Sequence, residues 1–202
     1  MLTNDELDQV CDVLIEHEGL VPWLYCDTKG YVTVGVGDKV SPQSVLTMPF
    51  VHLANNNGAT ADEKANAYVK VQRFFHKGFT ASAYTAVSDL RLPADFCRRR
   101  LAYRIKSEFV PAIEKHCPQF ASFPLQAKLV LVDIAYNVGV AGFAMFDDLI
   151  RACNGGRFID ASNEVHTEKE GEDPRYPNTW GKRNTWRRVT MIEAATNQER
   201  VS

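Results

Sequence analysis

The chain has 202 residues, 45% hydrophobic and 24% charged, with a formal net charge of −2. That places it among ordinary soluble globular proteins of one domain or two small lobes. The near-neutral charge excludes a strong global pull toward nucleic acid or anionic wall polymers, so any such attraction must be local.

The N-terminal residues Met1-Leu2-Thr3-Asn4-Asp5-Glu6 have neither a basic region nor an apolar core. No signal peptide is expected there, and the chain is expected to be made in the cytoplasm. Thr3 and Glu6 form a capping box that opens a helix. Its apolar stripe is Leu7, Val10, Cys11 and Leu14, one helical face. Four residues further along that stripe stands Glu18 rather than a hydrophobe, and Gly19 follows, the usual residue just past a helix end. The pattern therefore predicts a carboxylate on the buried edge of the last turn. Desolvation and the negative end of the helix dipole both disfavour its charged form there, which suits a general acid. The alternative is a frayed helix end with Glu18 in water.

Residues 31–37 alternate strictly, with Val32, Val34 and Val36 on one face and Tyr31, Thr33, Gly35 and Gly37 on the other. This predicts a strand with one aliphatic face and one low, open face carrying the Thr33 hydroxyl. Asp27-Thr28-Lys29-Gly30 has the composition of a tight turn, making residues 20–37 a hairpin with Asp27 at its lip. Two carboxylates in unlike environments are what glycoside hydrolysis requires.

Glu18-Gly19-Leu20, followed after a short spacer by Tyr25-x-Asp27-x-x-Gly30-x-x-Thr33-x-Gly35-x-Gly37, resembles the active-site signature of the phage-type lysozymes, the endolysin muramidases of glycoside hydrolase family 24. The resemblance implies that Glu18 is the general acid, that Asp27 positions or activates a water, and that Thr33 helps hold it. It also implies that Tyr25 and Gly37 lie against the substrate. Where the family usually has His after the last glycine, this chain has Asp38.

Further along, Ser41-Pro42-Gln43-Ser44 starts a short helix with Pro at its first position. Asn55-Asn56-Asn57-Gly58 is a break, and Thr60-Ala61-Asp62-Glu63 is a second capping box opening a helix to about Phe75. The resemblance is weak through residues 40–90, and no residue there is assigned a role. Pro93 opens a helix with Cys97, Leu101, Ile105 and Phe109 at every fourth position. Its other faces carry Arg98, Arg99, Arg100, Arg104 and Lys106, either a phosphate- or glycan-binding patch or a solvated face.

Pro124 starts the most apolar helix, Leu125 to Val138, the expected buried axis of a helical lobe, capped by Gly139. The segment from Asp133 through Tyr136-Asn137-Val138-Gly139 to Gly142-Phe143 is similar to a second family signature. That similarity implies sugar contacts by the Tyr136 ring and the Asn137 amide. A core aromatic and a helix C-cap are the alternative reading. One helix is expected through Ala144–Cys153 and another from Phe158 to Val165, followed by a polar loop over 166–178. The aromatic-basic stretch from Trp180 to Val189 runs into a terminal helix. By the resemblance Arg183, Asn184 or Arg187 could meet acidic groups of the wall, with Arg187 taken as the substrate contact. The plainer reading is a structural closing helix with Trp180 and Trp186 packed beneath.

The five cysteines at 11, 26, 97, 117 and 153 lack zinc or redox spacing and read as reduced, mostly buried thiols. The histidines show no metal-ligand spacing, and no metal or organic cofactor is implied.

The expected fold is α+β and lysozyme-like: a small N-terminal helix-plus-hairpin lobe, about 1–60, and a larger helical lobe, about 61–202, with a cleft between them. The expected function is hydrolysis of the β-1,4 bond between N-acetylmuramic acid and N-acetylglucosamine. The expected partners are peptidoglycan strands and an immunity or inhibitor protein, with a monomeric state, no nucleic acid and no membrane insertion. The enzyme would reach the wall in the periplasm after release or delivery, as a phage endolysin or as an antibacterial toxin of the pesticin-like or secretion-system kind. The alternatives are a peptidoglycan-binding module without turnover and, ranked last, a nucleic-acid binder using Arg98–Arg100 or Lys182–Arg188.

Overall fold

In a computed structural model, residues 1–167 and 181–201 are described, the side chains of 199–201 excepted. The chain is α+β, mostly helical with two small antiparallel sheets. Its contacts divide it into two units, Leu14–Ala102 and Met1–Val13 together with Tyr103–Ser202. The boundary thus falls near residue 102 rather than 60. The reason is the helix after the second capping box, which packs on the sheet and so belongs with the hairpin.

Helix α1 (Asn4–Glu18) opens on the expected box: the Thr3 amide donates to Glu6 Oε2 at 2.8 Å and the Glu6 amide to Thr3 Oγ1 at 3.2 Å. It closes at Gly19, whose φ of 77° only glycine adopts without strain.

In the unit formed by residues 14–102, strand β1 (Val21–Cys26) pairs antiparallel with β2 (Val32–Gly35), and β2 pairs with β3 (Asp38–Lys39). The register of β1 shifts between Val21 and Tyr25. Pro22 lies in that bulge. It has no N–H to give to a ladder, but its carbonyl accepts from the Leu92 amide at 2.7 Å. The predicted single strand over 31–37 is instead a strand ending in a turn, because Gly35 and Gly37 have φ of 66° and 63° and send the chain back as β3. Helix α2 (Pro42–Thr47) is capped by Ser41 as expected. Strand β4 (Val51–His52) leads to helix α3 (Ala61–Arg73), capped by Thr60, and β4 pairs with β5 (Leu90–Arg91). Leu24, Val32, Val34, Val45, Phe50, Val71, Tyr84 and Leu92 form the core between sheet and helices.

Helix α4 (Ala94–Arg104) continues through a π turn (Ile105–Phe109), in which the Val110 amide reaches back to the Ile105 carbonyl, into α5 (Val110–His116). A stripe repeating every four residues drifts around a helix of 3.6 residues per turn, and the wider π turn corrects the drift. Cys97, Leu101, Ile105 and Phe109 are accordingly all buried.

In the other unit, α6 (Leu125–Phe143) packs against α5 and against α9 (Lys182–Val201). Gly139 breaks α6 at φ 81°, ψ 162°, where the sequence placed a cap. This helix is long and apolar enough to cross a membrane by length and composition. Val130 through Ala135 are nevertheless buried in protein, Asp133 among them. Helices α7 (Asp147–Asn154) and α8 (Phe158–Ala161) are shorter than expected. Trp180 and most of the predicted polar loop lie outside the described residues.

Candidate active site

Five of the eight expected site residues belong to the unit of residues 14–102: Glu18, Tyr25, Asp27, Thr33 and Gly37. Asp27 is held by the turn it opens. Its Oδ1 accepts from the Lys29 and Tyr31 amides, both at 2.9 Å, and its backbone N–H and C=O close the turn with Tyr31 and Gly30. The other oxygen, Oδ2, stands 3.4 Å from Lys39 Nζ, which also lies 4.4 Å from the centre of the Tyr31 ring. One carboxylate oxygen is thus fixed by backbone, and the second faces a cation from β3.

Tyr25 is paired opposite Thr33 across β1 and β2. Burial first, then the charges of Asp27 and Glu18, push its hydroxyl up to about 12. The phenol therefore stays protonated at any working pH, and both carboxylates lie close enough to act on it.

Two expectations are corrected here. Glu18 is exposed, so the desolvation predicted for the end of the stripe is missing. Helix α1 ends at that residue, and Gly19 turns the chain away before the buried stripe can extend to it. Thr33 does not stand on an open face: it is 2% exposed, and its hydroxyl donates to the Tyr31 carbonyl at 2.9 Å. Helix α4 covers that face, where a Cβ on Gly35 would lie 3.7 Å from Cys97. With its proton given to the backbone, the Thr33 oxygen retains acceptor capacity alone, so a water there would have to donate to it. Gly37 remains exposed, its left-handed backbone serving the β2–β3 turn.

Asp38, the departure from the family pattern, is buried on β3 and paired with Arg100 of α4. This ion pair ties the strand that carries Lys39 to the helix behind it. It also accounts for one arginine of the basic run, Arg100, whereas Arg99 pairs with Asp95 at an exposed position on the same helix.

Tyr136, Asn137 and Arg187 belong to the other unit. The Tyr136 hydroxyl accepts from Arg104 Nη1 at 3.1 Å, and its ring lies 4.9 Å from that of Phe109. Asn137 stands two residues before the α6 break at Gly139, with both amide atoms shielded from solvent and unpartnered among the described residues. Arg187 is 0% exposed, and its place as a substrate contact is corrected. Its Nε donates to Asp133 Oδ2 at 2.6 Å and its Nη1 to Thr167 and Asn184, both at 2.9 Å. Arg183, one turn earlier on α9, donates to the same carboxylate through Nε and Nη2. Two arginines at i and i+4 thus converge on one buried acid, and the signal in the sequence was Asp133 itself, a lone charge inside the most apolar helix.

Sequence reasoning also missed a trio on α3 and the second sheet. His52 Nδ1 lies 2.8 Å from Asp89 Oδ2 and its Nε2 3.4 Å from Glu63 Oε2. The hydrogen bond to Asp89 first, with Glu63 behind it, outweighs burial and holds the imidazole above its usual value.

No protein-family model matches the chain, and a search of curated proteins finds no matching sequence.

Proposed function

We propose that this chain is a peptidoglycan muramidase with a lysozyme-like fold, hydrolysing the β-1,4 bond between N-acetylmuramic acid and N-acetylglucosamine. The observation that carries the reading is Tyr25, a half-buried phenol that feels the charges of both Asp27 and Glu18 and is paired across the strands from Thr33. Two carboxylates held differently, one at a helix end in solvent and one fixed by two backbone amides, suit an acid and a water-directing partner. In this reading Glu18 protonates the leaving oxygen, and the bound glycan strand supplies the desolvation that the free protein lacks. Asp27 Oδ2 orients the attacking water, while buried Thr33 steadies the turn that holds Asp27 by donating to the Tyr31 carbonyl. Water attacks the anomeric carbon from the face opposite the acid, the glycosidic bond breaks toward Glu18, and Asp27 takes the water's proton. The Tyr136 ring and the Asn137 amide are kept as proposed glycan contacts, the shielded amide meeting sugar only once binding uncovers it. Endolysin and delivered toxin are equally served by this chemistry. In either setting the substrate is the wall, and an immunity or inhibitor protein is the partner expected of a toxin.

The test is incubation with purified, protein-free peptidoglycan beside Glu18→Gln, with the fragments identified by mass spectrometry. Fragments ending in reducing N-acetylmuramic acid are expected, falling about 10³-fold or more with the variant. Undiminished release by Glu18→Gln, or binding of the wall with no fragments at all, would overturn the reading, the latter in favour of a binding module.

A further inference from the structure

Between Glu63 and Asp89 the chain has no acidic residue, while Lys64, Lys70, Arg73 and Lys77 give it four formal positive charges in a protein whose net charge is −2. The end of α3 and the loop after it, Arg73 to Thr80, are exposed throughout. Within that stretch Phe74, Phe75 and Phe79 leave 43%, 38% and 40% of their surface in solvent. Three half-exposed phenylalanines in six residues are not a scatter of single surface hydrophobes.

The rings form an organised group. Phe74 and Phe79 are 5.3 Å apart, and the edge of the pair is propped by buried Tyr84, 5.5 Å from Phe74 and 6.3 Å from Phe79. Phe75 reaches the hairpin: a Cβ on Gly30 would lie 3.5 Å from its ring. That contact joins the group to the Asp27 turn, where Tyr31 is 55% exposed and Lys29 precedes Gly30. Among the described residues Arg99, Arg100, Arg151 and Arg157 each pair with an acid, whereas Lys29, Arg73 and Lys77 make no ion pair.

We infer that this aromatic and cationic face docks on the surface of an anionic lipid bilayer. Phenyl rings have no hydrogen-bonding handle, so they gain by entering the apolar boundary beneath the headgroups. Unpaired cations around them meet the negative surface potential. A glycan-binding face would instead need amides or hydroxyls beside its rings to satisfy sugar hydroxyls; here the charged groups are all cations, and the other polar groups are the His76 ring, 5.0 Å from Phe79, and the Tyr31 and Thr80 hydroxyls. The face lies beside the Asp27 turn, so adsorption holds that turn against the bilayer surface. The inference does not depend on the hydrolytic reading.

The test is co-sedimentation of the full chain with vesicles containing phosphatidylglycerol, with phosphatidylcholine vesicles and purified peptidoglycan as parallel arms. Binding to the anionic vesicles alone among the lipids is expected, weakening as salt is raised. The combined variant Lys29→Gln, Arg73→Gln, Lys77→Gln should lower partitioning on the order of a hundredfold, as three surface cations would. Its substitutions are all at exposed positions, and an unchanged melting curve excludes misfolding. Phe75→Ser should lower partitioning at high salt, where the charges are screened. The inference is overturned if anionic vesicles leave the wild type in solution, if both lipids bind equally, or if the triple variant loses peptidoglycan and keeps vesicles. A wild-type dimer that the Phe75→Ser change dissociates, with no vesicle binding, would overturn it too.

Discussion

Tyr25 shows how a single residue can report on a site. Its hydroxyl is held near 12 by burial and by two carboxylates, so it is an uncharged dipole beside both of them. Tyr25→Phe is expected to keep the fold and lower kcat/KM about tenfold, with a displaced pH–rate profile, since it removes the polar group on which both acids bear. Asn137 makes the opposite case. Among the described residues its amide atoms are shielded and unpartnered, which costs about 1–3 kcal/mol against an apolar residue of similar size. Asn137→Leu is therefore expected to raise stability in a urea melt while weakening glycan hydrolysis, and a fall in stability would remove the amide from the proposed contacts. The positions of both residues could be read from the chain, but their surroundings could not. Glu18 was legible as the residue after a buried stripe, yet its exposure depends on where Gly19 sends the chain. Thr33 was legible as a strand residue. The helix that buries it is some sixty residues away, and alternation along a strand cannot reveal what covers a face.

At the scale of elements, the local rules read well. Capping boxes at Thr3, Ser41 and Thr60, and breaks at Gly19 and Gly139, all depend on residues within one turn of each other. Pairings between elements were invisible, Asp38 with Arg100 and Asp133 with two arginines above all. The second is the fixed point of α6 on α9. Asp133→Asn would remove the carboxylate that buried Arg183 and Arg187 share, and a loss of about 3–5 kcal/mol in a denaturant melt is expected. His52 links the start of α3 to the β4–β5 pair through Glu63 and Asp89. A histidine whose folded pKa is raised contributes stability that is complete below its unfolded value of about 6.5 and is lost as pH rises through the folded one. Melting temperature should therefore decline from pH 6 toward 8 more in the wild type than in His52→Gln. Equal slopes would show the trio to be without effect on folding.

Across the whole molecule, the five thiols are buried and single, and burial pushes Cys97 and Cys117 up to about 11 and Cys153 up to about 12. Alkylation by iodoacetamide at pH 8 should be slow in the native protein and fast in denaturant, as counted by mass spectrometry. The partition of the chain bears on how the protein comes into being. Leu14–Ala102 is one unbroken stretch, whereas the other unit is assembled from residues 1–13 and everything from Tyr103 onward. During synthesis the uninterrupted unit can fold as soon as it leaves the ribosome. The first thirteen residues have to wait for their partners, since Glu6 closes on Lys128 and the Met1 amine on Glu114. For that interval the apolar stripe of Leu7, Val10 and Cys11 has no core to enter. Chaperone occupancy on ribosome-bound chains should therefore persist until well after residue 128 emerges, and a circular permutant opening the chain between residues 13 and 14 should shorten it.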